Sequence, residues 1–258
     1  YAKLLFYCSK GCKKMKSVFI SGSISIKKLP NIVCESFDKI IAQNIHIYLG
    51  DADGVDILAQ NYFASKNYTN ITICTIKEYP RNIASNTFKI KQIKYDSSIK
   101  SERERQTFKD EFMTGASDYS FVIWDGKSKG SFANIKRAIK YNKKIKIYYV
   151  DFGRCLEKEE LNISYIENIY KSNTGYTLSE IMTKIKSSNI YTNISKASEL
   201  KELFINNKIL KQSSDKLEIN NNYKNYFIVE NYRGNQTIKY KKDVLDLIAG
   251  NSIFGSGK

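Results

Sequence analysis

The chain has 258 residues, 42% of them hydrophobic and 13% aromatic, which allows one large domain or two small ones with a packed core. No apolar run approaches the roughly 18–20 residues of a membrane span. Lys10, Lys13 and Lys14 follow the apolar residues 1–7, where a secretory signal needs a small-residue cleavage site. The net charge of +16 favours anionic partners and is uneven: 26 of the 42 Lys/Arg fall in residues 1–150, against 13 of the 26 Asp/Glu.

The five cysteines, Cys8, Cys12, Cys34, Cys74 and Cys155, are odd in number and scattered, so a disulfide framework or zinc site is not expected and a reducing cytoplasm is. Residues 1–15 read as a loosely held extension, since Met15-Lys16-Ser17 leads straight into the first strand, Ser17-Val18-Phe19-Ile20. That strand ends at Ser21-Gly22-Ser23. Pro30 then opens a helix over 31–43, with Ile32, Val33, Phe37, Ile40 and Ile41 on one face. A second strand, 45–49, runs into Gly50-Asp51-Ala52-Asp53-Gly54-Val55-Asp56, and a helix follows to about residue 66. A third, β-branched strand covers 69–76. From 77 to about 102 the pattern lapses into a loop with one short irregular strand at most, of a length often used as a lid. A helix over 103–115 enters the strand Tyr119 to Trp124, which is apolar enough to be buried on both faces. Asp125-Gly126-Lys127 makes the turn, Gly130-Ser131 opens an amphipathic helix over 132–141, and 145–150 is the fifth strand.

This rhythm predicts an α/β fold, an open, mostly parallel Rossmann-like sheet over 16–152 with helices on both faces. In such sheets ligands sit beyond the carboxyl ends of the strands, and all three glycine turns fall there. Backbone N–H groups at a helix N-terminus attract phosphate. Past residue 152 the order is helices over 161–172, 177–188 and 195–206, hairpins over 209–219 and 226–240, and a helix over 242–249. This predicts a smaller α+β, winged-helix-like domain over 153–250, with Thr177 to Glu180 as a capping box and 195–206 as its recognition helix. Residues 251–258 read as a flexible tail, because Gly255-Ser256-Gly257-Lys258 lacks the lysine placement and the helix of a phosphate loop.

Three stretches, Ile20-Ser21-Gly22-Ser23, Gly50-x3-Gly54-x-Asp56 and Ala116-Ser117-Asp118 leading to Gly126-x3-Gly130-Ser131, make residues 16–150 resemble the SLOG superfamily. That superfamily of Rossmann-like proteins includes lysine-decarboxylase-like phosphoribohydrolases, the DNA-processing protein family and sensors of nucleotide-derived ligands. The resemblance implies a phosphate-bearing nucleotide ligand. The phosphoribohydrolases carry an arginine where Lys109 stands and a catalytic glutamate where Asn134 stands, so the sequence leaves open whether the chain is an enzyme. Asn134 cannot serve as a general base.

The expected ligand set is Ser21, Gly22, Ser23, Gly50, Asp51, Gly54, Asp56, Lys109, Asp125, Gly126, Lys127, Gly130, Ser131 and Asn134, with Asp125, Lys109 and Asp53 as candidates for catalysis. Asp56 could instead cap the helix after it. Asp51 or Asp53 could take a ribose hydroxyl or a divalent cation accompanying the nucleotide; no resident metal or certain cofactor is expected. His46, the lone histidine, reads as a packed strand residue, and Trp124 as core. Lys196, Lys201 and Lys211 are the candidate nucleic-acid contacts of the second domain, which could equally take a protein partner or form a homodimer. The favoured expectation is a cytoplasmic nucleotide-ligand sensor relaying through the winged-helix-like domain. The alternatives are an N-glycosidic hydrolase or transferase acting on nucleotides, and a DNA-binding protein of the DNA-processing kind.

Overall fold

The computed structural model describes residues 15–188, 190, 194–213, 216–232 and 234–250; most of the expected N-terminal extension, Cys8, Cys12 and the 251–258 tail lie outside them. The chain divides into two compact units after Ile163.

The first unit is a seven-stranded sheet in the order β4-β3-β2-β1-β5-β6-β7. Its strands are β1 (Ser17–Gly22), β2 (His46–Leu49), β3 (Ile71–Thr75), β4 (Lys89–Gln92), β5 (Tyr119–Trp124), β6 (Lys144–Tyr149) and β7 (Arg154–Cys155), and all pairings are parallel except β6 with β7. The connecting helices are α1 (Asn31–Ala42), α2 (Val55–Ser65), α3 (Glu102–Ala116) and α4 (Lys129–Lys140). β1 through β4 step one way across the sheet, and β5 and β6 step the other. The direction therefore reverses between β1 and β5, which is where open α/β sheets hold ligands.

Period-two alternation divides the strand side chains between the two faces. Val18, Ile20, Ile47, Leu49, Ile71, Ile73, Phe121 and Ile123 pack with Val33 and Phe37 of α1 and Val55, Ala59 and Phe63 of α2. Phe19 and Cys74 pack with Met113 of α3 on the other face, where Trp124 lies stacked 6.1 Å from Phe132 of α4. Phe37 sits 4.8 Å from Phe63 and 5.8 Å from Phe121, and each buried aromatic of this kind contributes about 1.5–3 kcal/mol. The Rossmann-like sheet with helices on both faces is as the residue pattern predicts.

Local chemistry sets the boundaries. Ser101 and Glu104 form a capping box that starts α3. α4 begins at Lys129, earlier than expected, because Ser128 caps it by accepting from the Ser131 N–H, and Gly130-Ser131 thus lies inside the first turn. The first unit runs past residue 152 because Arg154–Cys155 adds an edge strand, and Arg154 closes on Glu160 at 2.7 and 2.8 Å. Two residues are too few to show a pattern in sequence. In the 77–88 loop, Asn82 donates to the Asp51 carbonyl and to Asp53 of the β2–α2 turn, and the Ala84 N–H donates to Gln60 of α2.

The second unit holds α5 (Ile163–Thr174), α6 (Leu178–Ser187), α7 (Ala197–Asn206), β8 (Leu210–Ser213), β9 (Lys216–Ile219), β10 (Phe227–Tyr232), β11 (Asn235–Tyr240) and α8 (Val244–Gly250). Its strands form two separate antiparallel hairpins, β8–β9 and β10–β11. Its core is built on Ile181, Leu200, Phe204, Phe227, Tyr240 and Val244. Thr177 and Glu180 form the capping box expected at the start of α6.

Gly54 and Gly22, beside the ends of β2 and β1, are required by backbone geometry. Gly54 has φ +71°, and a Cβ there would stand 2.5 Å from the Ile24 Cα; a Cβ on Gly22 would meet the Ile123 carbonyl at 2.5 Å. A Cβ on Gly130 would meet nothing within 4 Å. Gly54→Ala is expected to cost at least about 1–3 kcal/mol through its strained φ alone. Gly130→Ala should leave stability unchanged or raise it by up to about 1 kcal/mol through helix propensity. Paired chemical denaturation curves check both.

Candidate functional site

At the reversal point a cleft of about 220 Å³ opens between the carboxyl ends of β1 and β5. β1 contributes Ser21 and Gly22 to its wall, the first turn of α4 contributes Gly130 and Ser131, and α3 contributes Gln106, Lys109 and Asp110. Asp56 of α2, Arg81 of the 77–88 loop and Asn134 complete it.

The floor is electrostatic. Asp51 is fully buried and accepts from Thr75 Oγ1 at 2.9 Å, the Arg81 N–H at 3.2 Å and an Arg81 guanidinium nitrogen at 2.8 Å. Lys109, also buried, places Nζ 3.9 Å from Asp51 and 3.5 Å from Asp110. Burial pushes the Asp51 carboxyl up, but the Arg81 bonds, Lys109 and Thr75 outweigh it and hold the group below the usual carboxylate range. Asp56 is the opposite case. Buried, with one hydrogen bond from the Ala52 N–H at 3.2 Å, its carboxyl is pushed up to about 7, chiefly by desolvation against the pull of Lys109. Near neutrality Asp56 therefore exchanges a proton, while Asp51 stays ionised.

Gly50 lies directly behind this pair. A Cβ on it would collide with the Asp56 carboxylate and stand 2.9 Å from Lys109 Nζ, so any larger residue would displace both.

Two polar groups at the wall are left over: Ser21 Oγ and Gln106 Nε2 are buried atoms with no hydrogen-bond partner among the described residues. Buried polar atoms are seldom left unpaired, and both belong to residues that line the cleft. Ser131 is partnered, with Oγ 3.2 Å from Ser128 Oγ and 3.4 Å from Ser23 Oγ. The first turn of α4 adds N–H groups that no helical carbonyl can reach.

Of the expected ligand set, Ser21, Gly22, Asp56, Lys109, Gly130, Ser131 and Asn134 come together on the cleft wall. Ser23, Gly50, Asp51 and Gly54 lie beneath it as supports. Four candidates are elsewhere. Asp53 is exposed and accepts from Asn82 Nδ2 at 3.0 Å. Asp125 accepts from the Lys127 and Ser128 N–H groups at 2.9 and 2.7 Å and from Ser25 Oγ at 2.6 Å, which makes it the clamp of its own turn. Gly126 serves that turn with φ +75°, and the Lys127 side chain is exposed. Asp56 is not a helix cap, because the N-cap position is Gly54. Asn134 accepts from Arg137 at 2.6 Å. Asp118 staples the far ends of β1 and β5 through Ser17.

His46 is half-buried, with its ring nitrogens on Asn70 at 2.7 Å and Thr72 at 3.1 Å; Trp124 is core. Burial pushes the Cys74 thiol up to about 12, which leaves it inert. Among the described residues no group of three or more His, Cys, Asp or Glu is arranged to hold a metal ion, and no helix is long and apolar enough to cross a membrane. Lys196 starts α7, while Lys201 and Lys211 line two different hollows of the second unit. Arg81 and Gln106 were not anticipated from sequence.

No known family matches the chain, and no curated protein does. A solved structure of DNA processing protein A from Helicobacter pylori, described for its single-stranded DNA binding mode, aligns at 18% identity and TM-score 0.40, covering 60% of this chain and 80% of that one. That likeness is too slight to bear on function.

The raised Asp56 carboxyl predicts a pH dependence. Between about pH 4 and 7 the folded chain holds a proton that the unfolded chain lacks, so this group's contribution is full at the acid end and lost as pH rises through 7. The slope is at most about 1.4 kcal/mol per pH unit. Asp56→Asn is expected to flatten the fall in Tm between pH 5 and 8 and to exceed the parent at pH 8. Parallel Tm curves for the two proteins would contradict it.

Proposed function

We propose that the first unit binds the ribose-phosphate part of a nucleotide or nucleotide-derived ligand in the cleft at the β1–β5 reversal. The unpartnered Ser21 Oγ and Gln106 Nε2 beside the first turn of α4 carry this reading. Hydroxyls, an amide and helix N–H groups suit phosphate and sugar oxygens, while Lys109 and Arg81 supply positive charge. The size supports a fragment of that kind, because about 220 Å³ falls below the roughly 300–1,000 Å³ of sites that enclose drug-sized ligands. The base then lies outside the cleft. The second unit, with three helices followed by hairpins in winged-helix order, is the proposed output of binding.

A second reading is favoured by Asp56 alone. It is a cleft carboxyl raised to about 7, which suits proton transfer to or from a glycosidic leaving group. In that reading Asp56, rather than Asp125 or Asp53, supplies the carboxyl that Asn134 lacks.

Isothermal titration with ribose 5-phosphate and the four ribonucleoside 5′-monophosphates tests the first reading. At least one should bind one-to-one, and Lys109→Met should weaken it by about tenfold, roughly 1.4 kcal/mol. No heat with any of them, or binding of single-stranded oligonucleotides alone with a steep salt slope, would overturn it. Release of free base from the same monophosphates, abolished in Asp56→Asn, would establish the second reading.

A further inference from the structure

The second unit contains a groove of about 560 Å³ that the function proposed for the first unit does not use. It runs along β11 from Gly234 to Tyr240, with Lys216 and Leu217 of β9, Lys201 of α7 and the start of α6 around it. Three lysines line it, Lys201, Lys216 and Lys239, and no carboxylate does among the described residues. The neighbouring hollow, which holds Lys208 and Lys211, also holds Glu218. Charge therefore selects the first groove for an anionic occupant.

The backbone decides which kind. Residues of an antiparallel strand alternate between bonding the paired strand and pointing their N–H and C=O the other way. Tyr240 points away from β10: its N–H donates to the Tyr176 carbonyl at 2.8 Å, and its carbonyl accepts from the Tyr176 N–H at 2.7 Å. By the same parity Ile238 and Gln236 also direct their N–H and C=O outward, in register opposite Val229 and Asn231. The outer edge of β11 is thus already paired at one end, by Tyr176, and continues along the groove as a strand edge.

A peptide backbone brings both donors and acceptors to such an edge. A deoxyribose-phosphate backbone brings only acceptors, and a ribose one adds a single hydroxyl donor per unit where a strand edge offers its N–H and C=O at strand spacing. A nucleic-acid strand would also want exposed aromatic rings to stack on. Among the described residues the one ring lining the groove, Tyr240, is 4% exposed and lies 5.8 Å from Phe204 in stacked geometry.

We infer that this groove takes an extended acidic peptide segment, added as a strand to β11 from Ile238 towards Gln236, with its carboxylates facing Lys201 and Lys216. Gln236 is exposed, and its N–H is not part of the ladder to β10, so proline there deletes the outward donor and none of the donors that bond β10.

The test uses the full chain and three fluorescein-labelled probes: a peptide of alternating glutamate and valine, its lysine–valine counterpart, and a thymidine oligonucleotide. Fluorescence anisotropy should show binding of the glutamate peptide only. Amide hydrogen exchange should slow at Gln236 and Ile238 on binding while Thr237, already facing β10, is unchanged. Gln236→Pro should weaken binding by about tenfold, the loss of a single well-placed donor. Lys216→Glu, at an exposed position that leaves the fold alone, should do the same. Binding of the oligonucleotide but not the peptide, protection away from β11, undiminished binding by either variant, or no peptide binding at all would overturn the inference.

Discussion

A carboxylate shut away from water organises the working edge of the first unit. Asp51 follows β2, and its partners come from three other places: Thr75 at the end of β3, Arg81 in the loop after it, and Lys109 on α3. Removing one partner of a buried charge pair costs about 3–5 kcal/mol, because the remaining charge stays in a medium that cannot solvate it. The segments that meet at Asp51 are therefore held in one arrangement. The cleft inherits its shape from that arrangement.

The same constraint divides the labour among the acids of the Gly50–Asp56 turn. Asp51 is held ionised by cations and hydrogen bonds. Asp56, a turn further on and short of partners, is pushed towards the neutral form. Three carboxylates in one turn suggest a repulsive surface for phosphate when only sequence is read. In the folded chain one is neutralised from below, one is near neutral by desolvation, and Asp53 points to solvent beside Asn82. The cleft sets Lys109 and Arg81 against Asp51, Asp110 and an Asp56 whose ionisation burial opposes.

What could be read from the residues alone follows from local physics. Buried parallel strands are continuous apolar runs, glycines mark the tight turns after them, and the Rossmann-like order follows from their alternation with helices. Seven of the expected ligand residues meet at one cleft because motifs at strand ends converge when the strands are parallel. Arg81 could not be read in this way. Its loop has no periodicity, and its role is set by a bond to Asp51 far back in the chain. Gln106 was legible only indirectly: it stands one helical turn before Lys109, on the face already assigned to the site, but its own side chain is of a kind common on solvated helix faces. Asp125 is a different lesson. Its bonds to Lys127 and Ser128 are those of an aspartate turn, a local motif that Asp-Gly-Lys-Ser already spells. In the second unit β11 was legible as a hairpin strand, but where its outer edge is paired among the described residues depends on where Tyr176 lands.

The β1–β5 reversal point is proposed as the site of a phosphorylated sugar. Titrating isotope-labelled protein with ribose 5-phosphate and following backbone amide shifts tests it most directly. Saturable shifts are expected at Gly22, Gly130 and Ser131, with Gln106 and Lys109 following. Saturable shifts confined to other surfaces, or none at these residues at millimolar sugar phosphate, would contradict it.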